Sequence, residues 1–415
     1  MSSPQHMPLS PLTLPHLQLG AATATSCLGA GLDAQLQALR NGRSGLSPCS
    51  FDTVDLPTWV GEIAGVDDVR LPPELAAFDC RNNRLAELAL QQDDFIQAVQ
   101  AAISRHGAQR VGVVLGTSTS GILQTELAYR ERDASGALPV SYHYAQTHNT
   151  FSLAAYVRAR FGLLGPAMVV SSACSSSAKV FGNAQRMIAA GLIDCALVGG
   201  VDSLCLTTLY GFNSLELLST QPCRPFDAQR HGLSIGEAAA FVLLEAAPAR
   251  PADDAVLLLG VGESSDAYHM SSPHPDGLGA RSAMQAALAQ AGLQADEIDY
   301  INLHGTATPS NDNAEGRAVG ALFGPTTPCS STKGATGHTL GAAGGLEAVF
   351  SLLALRHGVL PGGVGATALD PAIASVAPLN YLLEARPSAP RRVLSNSFGF
   401  GGTNCSLVLA RGDAQ

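Results

Sequence analysis

The sequence predicts an α/β fold in two halves, and three observations carry that prediction. Short apolar runs ending in glycine or other small residues alternate with longer segments of helical periodicity, the pattern of strands layered with helices. The runs are continuously apolar rather than alternating, as in AMVV at 167–170 and AFVLLE at 240–245, which puts both faces of the sheet out of water. The stretch EAAPARPADDA at 245–255 breaks two such runs with Pro, Ala and Asp, dividing the chain into halves over 1–250 and 251–415.

The elements follow in order. LTLPHLQLGA, RVGVVLGTSTSG, AMVVSSAC, CALVGGVDS and AFVLLE supply the strands of the first half, with AELALQQDDFIQAVQAAISRHG and AKVFGNAQRMIAAG as helices. AVLLLGVGES, YINLHGTAT and LSNSFGFGGTN supply strands of the second, with ARSAMQAALAQAGL as a helix. Each half ends a strand in a compact polar motif, SSAC in one and LHGT in the other, although no residue-level repeat relates the halves.

Composition narrows the function classes. At 415 residues, 46% hydrophobic and 14% charged, the chain has the balance of a well-buried enzyme. Its apolar runs are short and broken by glycine, and the opening MSSPQHMPLSPL lacks a basic start with an apolar stretch. Neither a membrane span nor a signal peptide is expected, and the expected location is the cytoplasm. Nine cysteines without a CxxC pair argue for reduced thiols rather than disulfides or a zinc centre. A net charge of -10 disfavours nucleic acid. Lysine occurs only at Lys179 and Lys333 among 24 cationic residues, so where it does occur its compact ammonium is the distinguishing feature.

Four stretches point to chemistry. In VVSSACSSSAKVF, Cys174 lies between a strand and a helix start, where the positive helix end and free backbone N–H groups favour thiolate. Such a strand-turn-helix corner also exposes a nucleophile, although serine-rich helix starts are also ordinary N-caps. His304, in INLHGTATPSNDNAEG, and His338, in STKGATGHTLGAAGG five residues after Lys333, both follow strand-like segments. NSFGFGGTNCSLVL carries Phe398 and Phe400 among glycines that let backbone approach a substrate.

The ordered set SSACSSS, HGTATP, STKGATGH and NSFGFGGTN resembles the β-ketoacyl-acyl carrier protein synthases of the thiolase superfamily over nearly the whole chain. The resemblance implies a thiolase-like fold, two similar α/β halves forming a five-layered α-β-α-β-α sandwich. It also implies a decarboxylative condensation of an acyl thioester with a malonyl thioester, without metal or redox cofactor. Cys174 would carry the acyl group, with His304 and His338 as the paired histidines and Lys333 beside them. Asp312 and Glu315 match acidic positions that hold the lysine, and Glu315 is its expected anchor. Backbone N–H groups of Cys174 and Phe400 would form the oxyanion hole, Phe400 also serving as gate. Thr306, Thr308 and Phe398 would contact substrate, the threonines meeting the phosphopantetheine arm of acyl carrier protein.

Related families fit less well. A thiolase would carry a second catalytic cysteine in a CxGxG setting, where Cys405 sits in TNCSLV; a coenzyme A-type chain starter would have asparagine at His338; a chain-length factor would lack Cys174. The loop between LELLST and RPFDAQR, shortened to QPC, with Ala238 in SIGEAAA and the stretch DSLCLTTLYGFNSLELLS, looks most like ketosynthases of aryl-polyene clusters, with housekeeping fatty-acid elongation as the alternative. Acidic carrier protein is expected to dock on Arg81 and Arg84, helped by Arg70, Arg130 and Arg132. The aromatic segment PVSYHYAQTHNTF is expected at a subunit interface, with Tyr144 reaching a neighbour's acyl tunnel. The family implies a dimer, either of identical chains or with a ketosynthase-like chain-length-factor subunit.

Overall fold

A computed structural model of the protein describes residues 14–414. The first half contributes strands β1 (Leu17–Ser26), β2 (Val111–Gly116), β3 (Ala167–Val170), β4 (Cys195–Asp202) and β5 (Ala238–Ala246). The second contributes β6 (Val256–Ser265), β7 (Tyr300–Asn302), β8 (Pro328–Ser330), β9 (Arg392–Gly399) and β10 (Thr403–Arg411). They join in the order β3-β2-β4-β5-β1-β6-β10-β9-β7-β8, with Asn380–Tyr381 beside β8.

That order contains a duplication the residues do not show. In the first half, β2 lies parallel between β3 and β4, and β5 runs antiparallel to both β4 and β1. In the second, β7 lies parallel between β8 and β9, and β10 runs antiparallel to both β9 and β6. Strand by strand, β1–β5 and β6–β10 have the same topology. The halves meet where β1 pairs antiparallel with β6, Leu17 opposite Leu258 and Leu19 opposite Val256.

Helices cover the sheet in three layers. Outside the first half lie α1 (Arg81–Leu90), α2 (Phe95–His106) and α3 (Ser152–Phe161), packing Leu85, Phe95 and Tyr156 against Val113, Leu197 and Phe241. After β3 comes α4 (Ser176–Ala189), and α5 (Leu206–Ser214) follows β4. Outside the second half lie α6 (Leu278–Ala291) and α7 (Pro309–Phe323), packing Met284 and Val319 against Ile301, Leu394 and Val408. Between the halves run α4 and α8 (Ala343–His357), with Phe181, Leu346 and Phe350 in the central cluster. Every residue of α8 from Ala343 to Leu355 is buried, as expected of a helix apolar on all sides. The five layers implied by the family resemblance are therefore present.

Close approach of the central helices depends on small residues. A Cβ on Gly344 would stand 2.6 Å from both the Cβ and the backbone N of Ala178. The Gly345 N–H donates to Ser177 Oγ at 2.8 Å, so α4 and α8 are locked together where each begins. Among the described residues, no helix is long and apolar enough to cross a membrane.

The expected docking role of Arg81 is overturned. Its side chain is 4% exposed and pairs with buried Glu237 at 2.6 Å and with Asp67 at 2.7 Å. Glu237 also accepts from Ile63 N and Leu204 N, each within 2.9 Å, so the pair ties three loops together. Arg84 binds Asp79 at 2.6 Å and Arg130 binds Asp52 at 2.6 Å. Arg70 and Arg132 are exposed; Arg70 donates to Asp67 O and Val69 O, and Arg132 lies over the Tyr129 ring. Replacing Arg81 with Met is expected to lower the unfolding free energy by about 3–5 kcal/mol, because Glu237 would remain buried and unpaired. Urea unfolding measures this, and a shift below about 1 kcal/mol would contradict the structural role.

Candidate active site

The polar corner after β3 is laced by its own serines. Ser176 Oγ accepts from Ser172 N at 2.9 Å and donates to Ala173 O at 2.6 Å, while Ser175 Oγ donates to Ser172 O at 2.9 Å. These bonds hold Ala173 at φ 52°, a left-handed conformation that costs a residue with a Cβ roughly 1–2 kcal/mol. The strained turn presents Cys174 just before α4 begins. The serine run is thus the scaffold of the corner.

The same topological position in the second half, after β8, supplies Lys333 and His338. Lys333 opens the turn Lys333–Thr336, and Gly337 at φ 71° leads into His338. His338 is held by backbone bonds on both sides, its N–H donating to Ser234 O at 2.7 Å and its carbonyl accepting from Gly236 N at 3.0 Å. His304 follows β7, whose register positions it beside the corner after β8: Ser331 Oγ donates to Gly305 O at 2.7 Å. All these groups gather at the carboxyl ends of parallel strands, where open α/β sheets place their sites.

The side chains converge. His338 Nε2 lies 3.0 Å from Cys174 Sγ, and the His304 and His338 rings meet edge to face with centroids 5.2 Å apart. Phe398 packs against His304 at 5.9 Å. The ligand atoms of Cys174, His304 and His338 lie within 4.8 Å of one another. Lys333 Nζ donates to His304 O at 2.5 Å and stands 3.4 Å from its Nδ1.

Glu315 does not anchor Lys333. The lysine pairs with Glu347 on α8 at 2.5 Å, whereas Glu315, on α7, accepts from His304 N at 2.7 Å and Gly305 N at 2.8 Å. Its oxygens fix the backbone that carries the histidine, with Asn396 Nδ2 adding a bond at 3.2 Å. Asp312 likewise serves elsewhere, beside Arg230 at 3.4 Å and accepting from Phe226 N at 2.8 Å. Sequence reasoning missed Glu347, although one acid in the apolar helix AGGLEAVFSLLALRH was a visible anomaly. It also missed Asp202, whose buried carboxylate accepts from Thr117 Oγ1 at 2.6 Å and Gly341 N at 2.6 Å, joining the loop after β2 to the loop after His338.

Burial sets the protonation states. It pushes the Cys174 thiol up to about 11, against the opposing pull of the Phe400 N–H, Lys333 and its own N–H. The thiolate expected from the helix start is therefore outweighed by desolvation in the resting protein. Burial, and then the charge of Lys333, holds both His304 and His338 well below the ordinary histidine range. Both rings are neutral at pH 7. Burial also raises Glu315 and Glu347 to about 7.

The cavity before Cys174 measures ≈ 40 Å³ and is lined by Phe212, Thr306, Thr308, Phe398 and Phe400, among others. Phe400 leans on Phe212 with centroids 5.4 Å apart. Thr306 Oγ1 and Thr308 Oγ1 stand 2.9 Å apart in its wall. Tyr144 lies outside the cavity, 55% exposed and against His148.

Iodoacetamide labelling of Cys174, followed by peptide mass, is expected to accelerate about tenfold per pH unit between pH 7 and 10, because only the thiolate reacts and its fraction grows tenfold per unit below the pKa. A rate already level at pH 8 would show that the thiolate prevails in the resting protein.

Comparisons with known proteins identify the family. The β-ketoacyl synthase N-terminal domain matches residues 21–249 and the C-terminal domain residues 255–367. The chain is 34% identical over 406 residues to 3-oxoacyl-[acyl-carrier-protein] synthase 2 of Coxiella burnetii, spanning 93% of this chain and 96% of that one. It is similar to the ketosynthase ApeO, solved in complex with its chain length factor ApeC, from Xenorhabdus doucetiae, with 38% identity and a TM-score of 0.86 over 98% of this chain and 100% of that one. A β-ketoacyl synthase from Burkholderia phymatum is 31% identical with a TM-score of 0.84, over 96% of this chain and all of that one. With a cysteine and two neutral histidines gathered between duplicated halves, the chain belongs to the β-ketoacyl synthase family of condensing enzymes and has their thiolase-like fold.

Proposed function

We propose that the protein elongates acyl chains carried on acyl carrier protein, and the observation that carries this reading is Cys174 Sγ 3.0 Å from His338 Nε2 with His304 beside them. In the first step, sulfur attacks the carbonyl of an acyl thioester. The S–C bond to Cys174 forms, the bond to the carrier's thiol breaks, and the thiol proton leaves with the carrier. The Phe400 N–H, already directed at the sulfur, and the Cys174 N–H hold the developing oxyanion. In the second step, a malonyl thioester loses carbon dioxide while the neutral histidines donate to its thioester oxygen. The resulting carbanion takes the acyl group from Cys174: the new C–C bond forms, the S–C bond breaks, and the released thiolate takes one proton from solvent. Protonated histidines would be repelled by Lys333, so burial and chemistry favour the same neutral form. This balance needs no metal or redox cofactor.

Thr306 and Thr308, in the cavity wall, are suited to the amide groups of a phosphopantetheine arm. The cavity of ≈ 40 Å³ has room for a few water molecules rather than a long acyl chain, so in this reading Phe400 swings away from Phe212 on acyl loading. Carrier docking falls to the exposed Arg70 and Arg132 rather than Arg81.

A second subunit completes this reading. Among the described residues strand β3 pairs only with β2, and Met168 on it is 37% exposed, an open edge of the kind that a further strand covers. Tyr144 and Phe151 are exposed as well, in the segment expected at the interface. The solved relative ApeO is paired with a chain length factor, which supports a ketosynthase-like partner; the short QPC loop and Ala238 are the residues that favour aryl-polyene elongation over housekeeping fatty-acid synthesis. Cytoplasmic location belongs to the same reading, since all nine cysteines are free.

Intact-mass analysis with acyl-carrier proteins is expected to give an acyl adduct on the protein and none on Cys174→Ala; absence of any adduct, with the partner subunit present, would refute the reading. His304→Ala and His338→Ala are each expected to slow carbon dioxide release from malonyl-carrier protein roughly 10²–10³-fold, the cost of losing one preorganised donor. Because both histidine pKa values are lowered, this release is expected to stay level as pH falls through 6.5 and to fail only below it. A half-maximal fall centred on 6.5 would contradict the neutral-histidine mechanism.

A further inference from the structure

The atoms that serve acyl transfer also meet the requirements of a different ligand. Cys174, His304 and His338 are the group of three or more potential metal ligands found among the described residues, all three buried, with ligand atoms within 4.8 Å of one another. Tetrahedral zinc takes thiolate at about 2.3 Å and imidazole at about 2.0–2.1 Å, which separates its ligand atoms by roughly 3.3–3.6 Å. Cys174 Sγ and His338 Nε2, 3.0 Å apart, are already near that spacing. A pair at the 4.8 Å limit needs to close by about 1.2–1.5 Å, within reach of a rotation of the His304 ring. Lys333 occupies the Nδ1 side of that ring, leaving Nε2 for the metal.

We propose that this centre is also an inhibitory site for a zinc-class divalent ion, held by Cys174, His304 and His338, which blocks the nucleophile until the ion is withdrawn. The inhibition rests on the reading of Cys174 as acyl carrier, whereas the binding does not. Three protein ligands leave a fourth tetrahedral position facing the cavity, where water can sit. The cleft lined by Ser271, Ser272 and Phe400 provides access. Binding balances simply: the zinc–sulfur bond forms, the S–H bond breaks, and the proton passes to solvent with no change of oxidation state. Because zinc takes the sulfur as thiolate, binding releases the thiol proton, one per ion.

Two features moderate the affinity. Lys333 brings positive charge beside His304, offset by Glu347 at 2.5 Å, and His338 Nδ1 is buried without a partner, where zinc-bound histidines ordinarily donate to a second group. The ion is therefore held less firmly than in a structural zinc centre and can be removed by a chelator. An acylated Cys174 has no thiolate to offer, so metal and acyl donor compete for one sulfur atom.

Titration of the full-length protein with Zn²⁺ and Co²⁺ alone tests the proposal. Expected are one equivalent bound, about one proton released per zinc, and a sulfur-to-cobalt charge-transfer band, all lost in Cys174→Ala. Wild-type protein alkylated at Cys174 controls for folding and is expected to lose the band too. Zinc at ten times its Kd is expected to slow acyl-adduct formation about tenfold, with EDTA restoring the rate. Equal zinc binding by Cys174→Ala, or cobalt binding without the sulfur band, would overturn the site. Acylation unaffected by saturating zinc would overturn its inhibitory role. A cobalt band in a protein that no acyl donor loads would leave the metal site standing and refute the condensing reaction instead.

Discussion

Lys333 and Glu347 form an ion pair in the interior, their side chains 1% and 3% exposed, and the geometry of the site depends on it. Burying two charges costs several kcal/mol each unless contact is close and further bonds satisfy them. Here the contact is 2.5 Å, and the lysine also donates to His304 O. One pair thereby fastens the histidine loop after β7, the turn after β8 and the central helix α8. Because α8 locks onto α4 through Gly344 and the Gly345–Ser177 bond, the constraint passes directly to the helix that starts beside Cys174. Nucleophile and histidines come from opposite halves, yet one layer fixes their separation.

Desolvation supplies the second constraint, and it acts in one sense on unlike groups. It keeps the thiol protonated and both imidazoles neutral. A buried thiol at rest is protected from solvent oxidants, which react with thiolate. Neutral imidazoles retain an N–H for an oxygen that gains charge. The mechanism we propose therefore uses the protonation states that burial prefers.

Much of this was legible from residues alone. Continuous apolar strands, the break at 245–255 and the four polar motifs indicated the layers and brought Cys174, Lys333, His304 and His338 into view, because each stands where a strand ends in small residues. Pairings across long separations were not legible. Glu315 lies nearer His304 in sequence than Glu347 does, and its helix was already suspected, but the turn of α7 aims its oxygens at backbone N–H groups. Arg81 looked like a surface cation because charge alone gives no sign of burial; Glu237, which holds it, lies 156 residues away. The duplicated topology was implied by the family resemblance and not by any residue-level repeat, since the halves share strand order and not side chains.

The strand order also dictates when a newly made chain can become chemically competent. Cys174 leaves the ribosome early, with its serine-braced corner, but Phe400 and the hairpin of β9 and β10 follow every other part of the site in chain order. β10 must insert between β6 and β9, so the second sheet closes last. Until then the sulfur lacks the Phe400 N–H and the His304 ring lacks Phe398 as its wall.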